Sequence, residues 1–170
     1  CRAFLENLDK DTEAAYIFNP KLDSIQLIKA INDEFGIRSD ADNTKDLIDT
    51  LNAYLIEQKA KGKHVILLID EAQNLTDESL EDLRMLSNIQ SDDQSLLQII
   101  LVGQPELRIM LKHPSLAPFS QRIAVNTHLE ALNKRETLNY IVFRLKKAGG
   151  KSDIFTLEAM NMIFLQATEV

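Results

Sequence analysis

A layered α/β fold with a parallel sheet is predicted for this 170-residue chain from three observations. Two runs, Val65-Ile66-Leu67-Leu68-Ile69 and Leu97-Gln98-Ile99-Ile100-Leu101-Val102, are aliphatic with almost no alternation. Such runs suit strands covered on both faces, as in parallel sheets. Stretches with apolar residues at helical spacing separate the strand candidates, which is the pattern of βαβ units. Beyond about Leu129 only helical patterns remain, so residues 1–130 read as the α/β core and residues 131–170 as the start of a small helical subdomain.

Taken in order, Cys1 to Leu8 read as the end of a helix with no cap before it. Ala14 to Phe18 is a strand candidate stopped by Asn19-Pro20. Ser24 is expected to cap a helix with Ile25, Ile28, Ile31 and Phe35 on one face and Gly36 at its end. Thr44 is expected to cap a longer helix carrying Leu47, Ile48, Leu51, Tyr54 and Leu55, which ends near Lys61-Gly62. After the strand at Val65–Ile69, Thr76 opens a helix whose first turn holds Asp77 and Glu78, acids that suit the positive end of the helix dipole. Leu80, Leu83, Leu86 and Ile89 form its apolar face, and Asp92-Asp93 marks a loop. The next strand ends at Gly103-Gln104-Pro105-Glu106, where Pro105 fits the first turn of a short helix. His113-Pro114 breaks that helix, and Pro118 interrupts the chain again. Ile123 to Leu129 alternates, as an edge strand does. Asn133 caps a helix with Leu138, Ile141, Val142 and Leu145, closed by Gly149-Gly150, and Thr156 opens a last amphipathic helix.

Composition narrows the functions. The chain is 45% hydrophobic and 26% charged, ordinary globular values. Its longest fully apolar run is far below membrane-spanning length, and the acids near Cys1 do not suit a signal peptide. Cys1 is the only cysteine, so neither a disulfide framework nor a zinc set is expected. A cytoplasmic setting is the resulting expectation. Net charge of −7 disfavours a broad grip on phosphate backbones, which needs clustered Lys and Arg. His64, His113 and His128 show no ligand spacing. Tyr16, Tyr54 and Tyr140 lie on unrelated elements and read as core rims.

The chemistry is concentrated at Asp70-Glu71. Two carboxylates directly after a buried strand stand at the C-terminal sheet edge, where open α/β sheets bind ligands. One acid for a metal and one for a water is the arrangement of a magnesium-nucleotide site. The plainer alternative is a loop start that caps the next helix.

The words Leu67-Leu68-Ile69-Asp70-Glu71-Ala72-Gln73-Asn74-Leu75 and Leu101-Val102-Gly103-Gln104-Pro105-Glu106-Leu107, about thirty residues apart, carry a family resemblance. The chain resembles the AAA+ class of P-loop ATPases, and within it the ExeA-type general secretion pathway protein A branch, with relatives in pilus biogenesis and transposition. The resemblance covers essentially the whole chain. It implies a three-layer α/β/α P-loop NTPase-like parallel sheet followed by the start of a helical AAA+ lid. It implies ATP and Mg2+ as cofactors. Asp70 would be the Walker B aspartate that holds magnesium through water, and Glu71 would polarise the water that attacks the γ-phosphate. Gln104 would be a sensor amide, able both to donate and to accept. Arg122 would be an arginine finger acting on a neighbouring subunit's nucleotide, with Arg108 the weaker candidate. The implied partners are further copies of the chain and inner-membrane secretion or type IV pilus assembly components.

One departure matters. The string G-x-x-x-x-G-K-[ST], whose backbone cradles phosphates, occurs nowhere in the chain. The reading therefore expects a first strand and phosphate loop upstream of Cys1, with that strand between the strands at 97–102 and 124–129. It also expects residues 1–170 to hydrolyse ATP poorly on their own. A DNA-associated AAA+ ATPase of transposition or replication shares the same motifs and is the main alternative, and a nucleotide-free interaction module is another. A DEAD/DEAH helicase fits less well, because such enzymes place Ser-Ala-Thr where this chain has Gly103-Gln104-Pro105.

Overall fold

The computed structural model describes residues 1–91, 94–151 and 153–167. Its main sheet has three parallel strands in the order β1-β2-β5, where β1 is Thr12–Phe18, β2 is His64–Asp70 and β5 is Gln98–Leu101. The register pairs Thr12 with His64 through Phe18 with Asp70, and Ile66 with Gln98 through Ile69 with Leu101. The central position of β2 explains its lack of alternation: Val65 to Ile69 are all buried. Successive side chains point to opposite faces. Val65, Leu67 and Ile69 join the main core with Ala15 and Ile17 of β1. Ile66, Leu68 and Asp70 share the other face with Tyr16 and Phe18.

Helices flank this sheet. α1 (Arg2–Leu5) is a single turn, while α2 (Ser24–Glu34), α3 (Thr44–Ala60) and α4 (Asp77–Leu86) build the core. Leu27, Ile28 and Ile31 of α2, Leu47, Leu51 and Leu55 of α3, and Leu80, Leu83 and Leu86 of α4 are fully buried. These are i, i+3/i+4 sets, so one stripe of each helix is removed from water. At about 25 cal/mol per Å2 of apolar surface, each such side chain contributes roughly 2 kcal/mol before conformational entropy is set against it. Buried Asn32 ties α2 to α3 by donating to the Leu47 carbonyl at 3.1 Å.

Two caps fall one residue before the positions the sequence pointed to. Asp23, not Ser24, caps α2: its side chain accepts from the Gln26 N–H at 2.8 Å and Gln26 answers, a capping box. Asn43, not Thr44, caps α3, accepting from the Asp46 N–H at 2.9 Å. All four residue types are good caps, so composition alone does not choose between neighbours. Thr76 caps α4 as expected. Gly36 and Gly62 follow α2 and α3 at φ +73° and +75°, the left-handed geometry that ends a helix at glycine.

A small antiparallel pair, β3 (Gln90–Ser91) with β4 (Gln94–Ser95), was not foreseen, since two polar residues per strand carry no hydrophobic period. The Asp92-Asp93 loop lies outside the described residues. After β5 come α5 (Pro105–Met110), a 3-10 turn at Pro114–Leu116, and α6 (Ala117–Ser120). The expected edge strand at 123–129 is not a strand: residues 124–129 are exposed and belong to no ladder among the described residues. Alternation alone does not make a strand; it needs a paired neighbour to satisfy its backbone.

The chain divides into two compact units, Cys1–Ala124 and Val125–Val170. In the second, α7 (Lys134–Lys147) packs on α8 (Leu157–Ala167). Asn133 and Glu136 form a capping box at the start of α7, and Thr156 accepts from the Ala159 N–H at the start of α8. Among its described residues, neither helix contains a buried side chain.

Candidate functional site

The polar end of β2 is where the chain turns sharply. Asp70 closes the strand, and Glu71 takes a left-handed backbone with φ 56° and ψ 39°. Non-glycine residues rarely adopt that conformation, and when they do they cluster at functional sites. A 3-10 turn comes next, at Ala72–Asn74. Backbone bonds hold this corner from both sides. Ala72 N–H donates to the Val102 carbonyl at 2.9 Å, Val102 N–H donates to Ile69 at 2.8 Å, and Asn19 N–H donates to Asp70 at 3.1 Å. The ends of β1, β2 and β5 are thereby locked together, and side chains on all three can meet.

They do meet. The Tyr16 hydroxyl donates to Asp70 Oδ2 at 3.0 Å, and the Glu71 N–H donates to Asp70 Oδ1 at 3.0 Å. Both oxygens of Asp70 are thus oriented. Gln73 Nε2 donates to Glu71 Oε2 at 2.5 Å, and Gln104 Nε2 donates to the same oxygen at 3.2 Å. The Gln104 N–H donates to Gln73 Oε1 at 3.1 Å. A backbone N–H can only donate, so it fixes which way the Gln73 amide points and leaves the amide nitrogen for Glu71. Gly103 makes room for this: a Cβ there would stand 2.7 Å from Gln73 Oε1 and 3.0 Å from Leu107 Cδ2. Nearby, Asn74 donates to Asn19 at 2.8 Å, joining the residue after β1 to the same turn.

Of the residues singled out from the sequence, Asp70, Glu71 and Gln104 come together at one sheet edge. Gln104 both starts a helix and faces the acid pair. Its backbone is the N-cap of α5 with Pro105 in the first turn, yet its side chain makes no capping bond and reaches Glu71 instead. Arg122 is not brought in. It lies exposed on the turn after α6, and no hydrogen bond or ion pair joins it to Asp70 or Glu71 among the described residues. Arg108 is exposed on α5. Two residues of the site were missed. Tyr16 was read as a core rim, and only the strand register puts it on the Asp70 face. Gln73 lay inside the motif but had no assigned role; its position two residues after Glu71 was the available signal.

The donor set at the site is all oxygen and amide. Among the described residues no cluster of three metal-ligating side chains exists. A hard cation such as Mg2+ is commonly held by one or two carboxylates plus waters and substrate phosphates, and Asp70 suits that role.

Comparison with known proteins gives the family. A family profile described as AAA domain matches residues 1–111. The chain belongs to the AAA domain family. This AAA domain is 42% identical over 163 residues to General secretion pathway protein A of Aeromonas hydrophila, covering 95% of the chain and 30% of that protein. It is 32% identical over 109 residues to the Mu-like prophage FluMu DNA transposition protein B of Haemophilus influenzae, covering 61% of the chain and 34% of that protein. The chain thus spans about a third of the length of these relatives. Its fold is shared with the Aeropyrum pernix ORC2 protein solved as ADPNP-ADP complexes, with TM-score 0.61 and 21% identity over 85% of this chain and 38% of that one. The ADP form of the same protein gives TM-score 0.58 and 20% identity, over 86% of this chain and 39% of that one. No described helix of the AAA domain is long and apolar enough to cross a membrane.

Proposed function

We propose that this AAA domain supplies the metal and water side of an ATPase site, in a longer protein that couples ATP binding and hydrolysis to assembly of a secretion or type IV pilus system. The observation that carries the reading is the pair Asp70 and Glu71 at the end of the central strand, with Gln104 of the neighbouring strand end bonded to the Glu71 carboxylate. The likeness to General secretion pathway protein A over nearly the whole chain supports the machine. Asp70, the Walker B acid in this reading, holds Mg2+ through water, and the ion neutralises phosphate charge. Glu71 accepts a hydrogen bond from the attacking water and orients it. Phosphoryl transfer depends mainly on such positioning and charge neutralisation. Gln104 senses the γ-phosphate while bonded to Glu71. The phosphate cradle is no part of residues 1–170, which accordingly turn over ATP poorly alone; the longer protein acts as a homo-oligomer at the cytoplasmic face of the inner membrane, with Arg122 reaching a neighbour's nucleotide.

The test is Glu71→Gln in the full-length protein. Nucleotide binding should persist while turnover falls by about 100-fold, the usual scale for losing a general base. Unchanged turnover refutes the role of Glu71. Robust ATP hydrolysis by residues 1–170 alone refutes the half-site reading.

A second reading, a DNA-associated ATPase, is favoured by the likeness to the DNA transposition protein B. Retention on double-stranded DNA that weakens steeply with salt would support it; equal elution from DNA and blank resin at low salt would exclude it.

A further inference from the structure

We infer that Gln73 is a positioning residue for Glu71, fixing its carboxylate through one oxygen and coupling it to the end of β5. The inference rests on the reading of Glu71 as the water-orienting acid and adds a residue to it. A glutamate side chain has several rotamers, and a freely turning carboxylate spends little time aimed at one water. Here the backbone of Glu71 is held in a left-handed conformation, which sets where its side chain starts. Gln73 and Gln104 then both donate to Oε2. With Oε2 engaged twice, Oε1 is the acceptor that a water meets. Gln73 makes the shorter of the two bonds, 2.5 Å against 3.2 Å, and is the one also tied to main chain, through the Gln104 N–H. It therefore ties Glu71 to the main chain of residue 104, independently of the Gln104 side chain. Gly103 is part of the same device, because any Cβ there would displace the Gln73 oxygen.

The geometry separates this role from simple packing. Gln73 is half-buried, sits on a surface turn, and spends both ends of its amide on the site. Leucine at this position keeps the bulk and loses both bonds. Misplacing a reacting group by about an ångström costs on the order of 100-fold, so kcat should fall between about tenfold and 100-fold. Because the lost interaction does not bind nucleotide, KM for ATP should stay within about twofold.

The experiment measures steady-state ATP turnover of the full-length protein and of Glu71→Gln, Gln73→Leu, Gln73→Glu and Gly103→Ala, with the fold of each checked by circular dichroism. The expected pattern is a kcat loss at unchanged KM for both Gln73→Leu and Gly103→Ala. Gly103→Ala removes no donor from the site and so guards against a folding defect in the other variant. Gln73→Glu should be slow at neutral pH and recover relative to the wild type as pH falls, because the introduced carboxyl can donate to Glu71 only when protonated. Full kcat in Gln73→Leu beside a slow Glu71→Gln overturns the inference and leaves the reading of Glu71 standing. Full kcat in Glu71→Gln overturns both. A loss confined to thermal stability, with kcat and the pH profile intact, also overturns it.

Discussion

The two units of this chain are alike in local structure and unlike in burial. In the first, α2, α3 and α4 each carry a side-chain cap and a buried stripe of leucine and isoleucine. In the second, α7 has a capping box as complete as that of α2, and the start of α8 is capped by Thr156, yet no described side chain of either helix is buried. Phe143, Met162 and Leu165 are more than half exposed. The apolar rings of α7 are instead dressed by cations: the Arg144 guanidinium lies 5.9 Å from the Tyr140 ring centre, and Lys147 lies 5.8 Å from that of Phe143. Helix signals in sequence are therefore equally strong in both units, while tertiary stabilisation is concentrated in the first. The site respects that division, since Asp70, Glu71, Gln73 and Gln104 all stand on elements anchored by the core around β2.

The sharpest way to break the comparison is to remove equal bulk from each unit. Leu67 is fully buried in the middle of β2. Leu67→Ala should cost about 2–5 kcal/mol, the loss of burial plus a cavity. Met162 on α8 is 66% exposed, and Met162→Ala should change stability by less than about 0.5 kcal/mol. Urea unfolding monitored by circular dichroism measures both. A midpoint for Met162→Ala displaced as far as that for Leu67→Ala would show that α8 is buried in the folded protein and end the contrast.

How much of the molecule was legible in the sequence depends on the same physics. Val65–Ile69 announced a strand covered on both faces, because such a strand needs no alternation along its aliphatic run. The helices were visible through their periodic stripes, and Gly36 and Gly62 through the backbone they permit. What the sequence hid depends on long-range pairing. Tyr16 reaches Asp70 only because the register of β1 against β2 places them on one face. The Gln73 bridge exists because Gly103, thirty residues away, lacks a side chain. The strand expected at 123–129 had the right alternation but no ladder to join. Asp70, Glu71 and Gln104 were legible as neighbours because strand ends at a sheet edge converge whatever the details of register.

A finer test removes one cap from each unit. Asn43 accepts from the Asp46 N–H at 2.9 Å, and Asn133 accepts from the Glu136 N–H at 3.0 Å. Each alanine variant should cost its helix about 1 kcal/mol. The readouts should differ. Asn43 starts α3, whose Leu47, Leu51 and Leu55 are core, so Asn43→Ala should lower the unfolding midpoint of the whole first unit. Asn133→Ala should instead speed amide exchange in the first turn of α7 by about fivefold, a local opening that leaves the core midpoint in place. Equal shifts of the core midpoint in the two variants would mean that α7 folds as part of the same cooperative unit as α3.

The smallest expected effect probes the rim of the first unit through pH. Tyr54 of α3 packs on Phe35, with ring centres 5.4 Å apart. Its phenol is pushed above the ordinary value of 10.0, first by burial, then by the negative charges of Glu13 and Glu57. Both acids already have cationic partners, Lys63 for Glu13 and Lys61 for Glu57, so their effect on the phenol is a residual field. A group whose folded value is raised gives stability that is fully present below the unfolded value and is lost as pH climbs through the folded one. At neutral pH the phenol is protonated in both states and titration contributes nothing to the slope. Above about pH 10 the unfolded chain loses that proton more readily, so stability should fall with rising pH. Tyr54→Phe removes this ionisation while keeping the ring contact with Phe35. The difference in unfolding free energy between wild type and variant should therefore be flat from pH 7 to about pH 9 and turn against the wild type above about pH 10. A difference that stays flat through that range would show that Tyr54 ionises as freely in the folded unit as in the unfolded chain, and that the rim of the core is as open to water as the surface of α7.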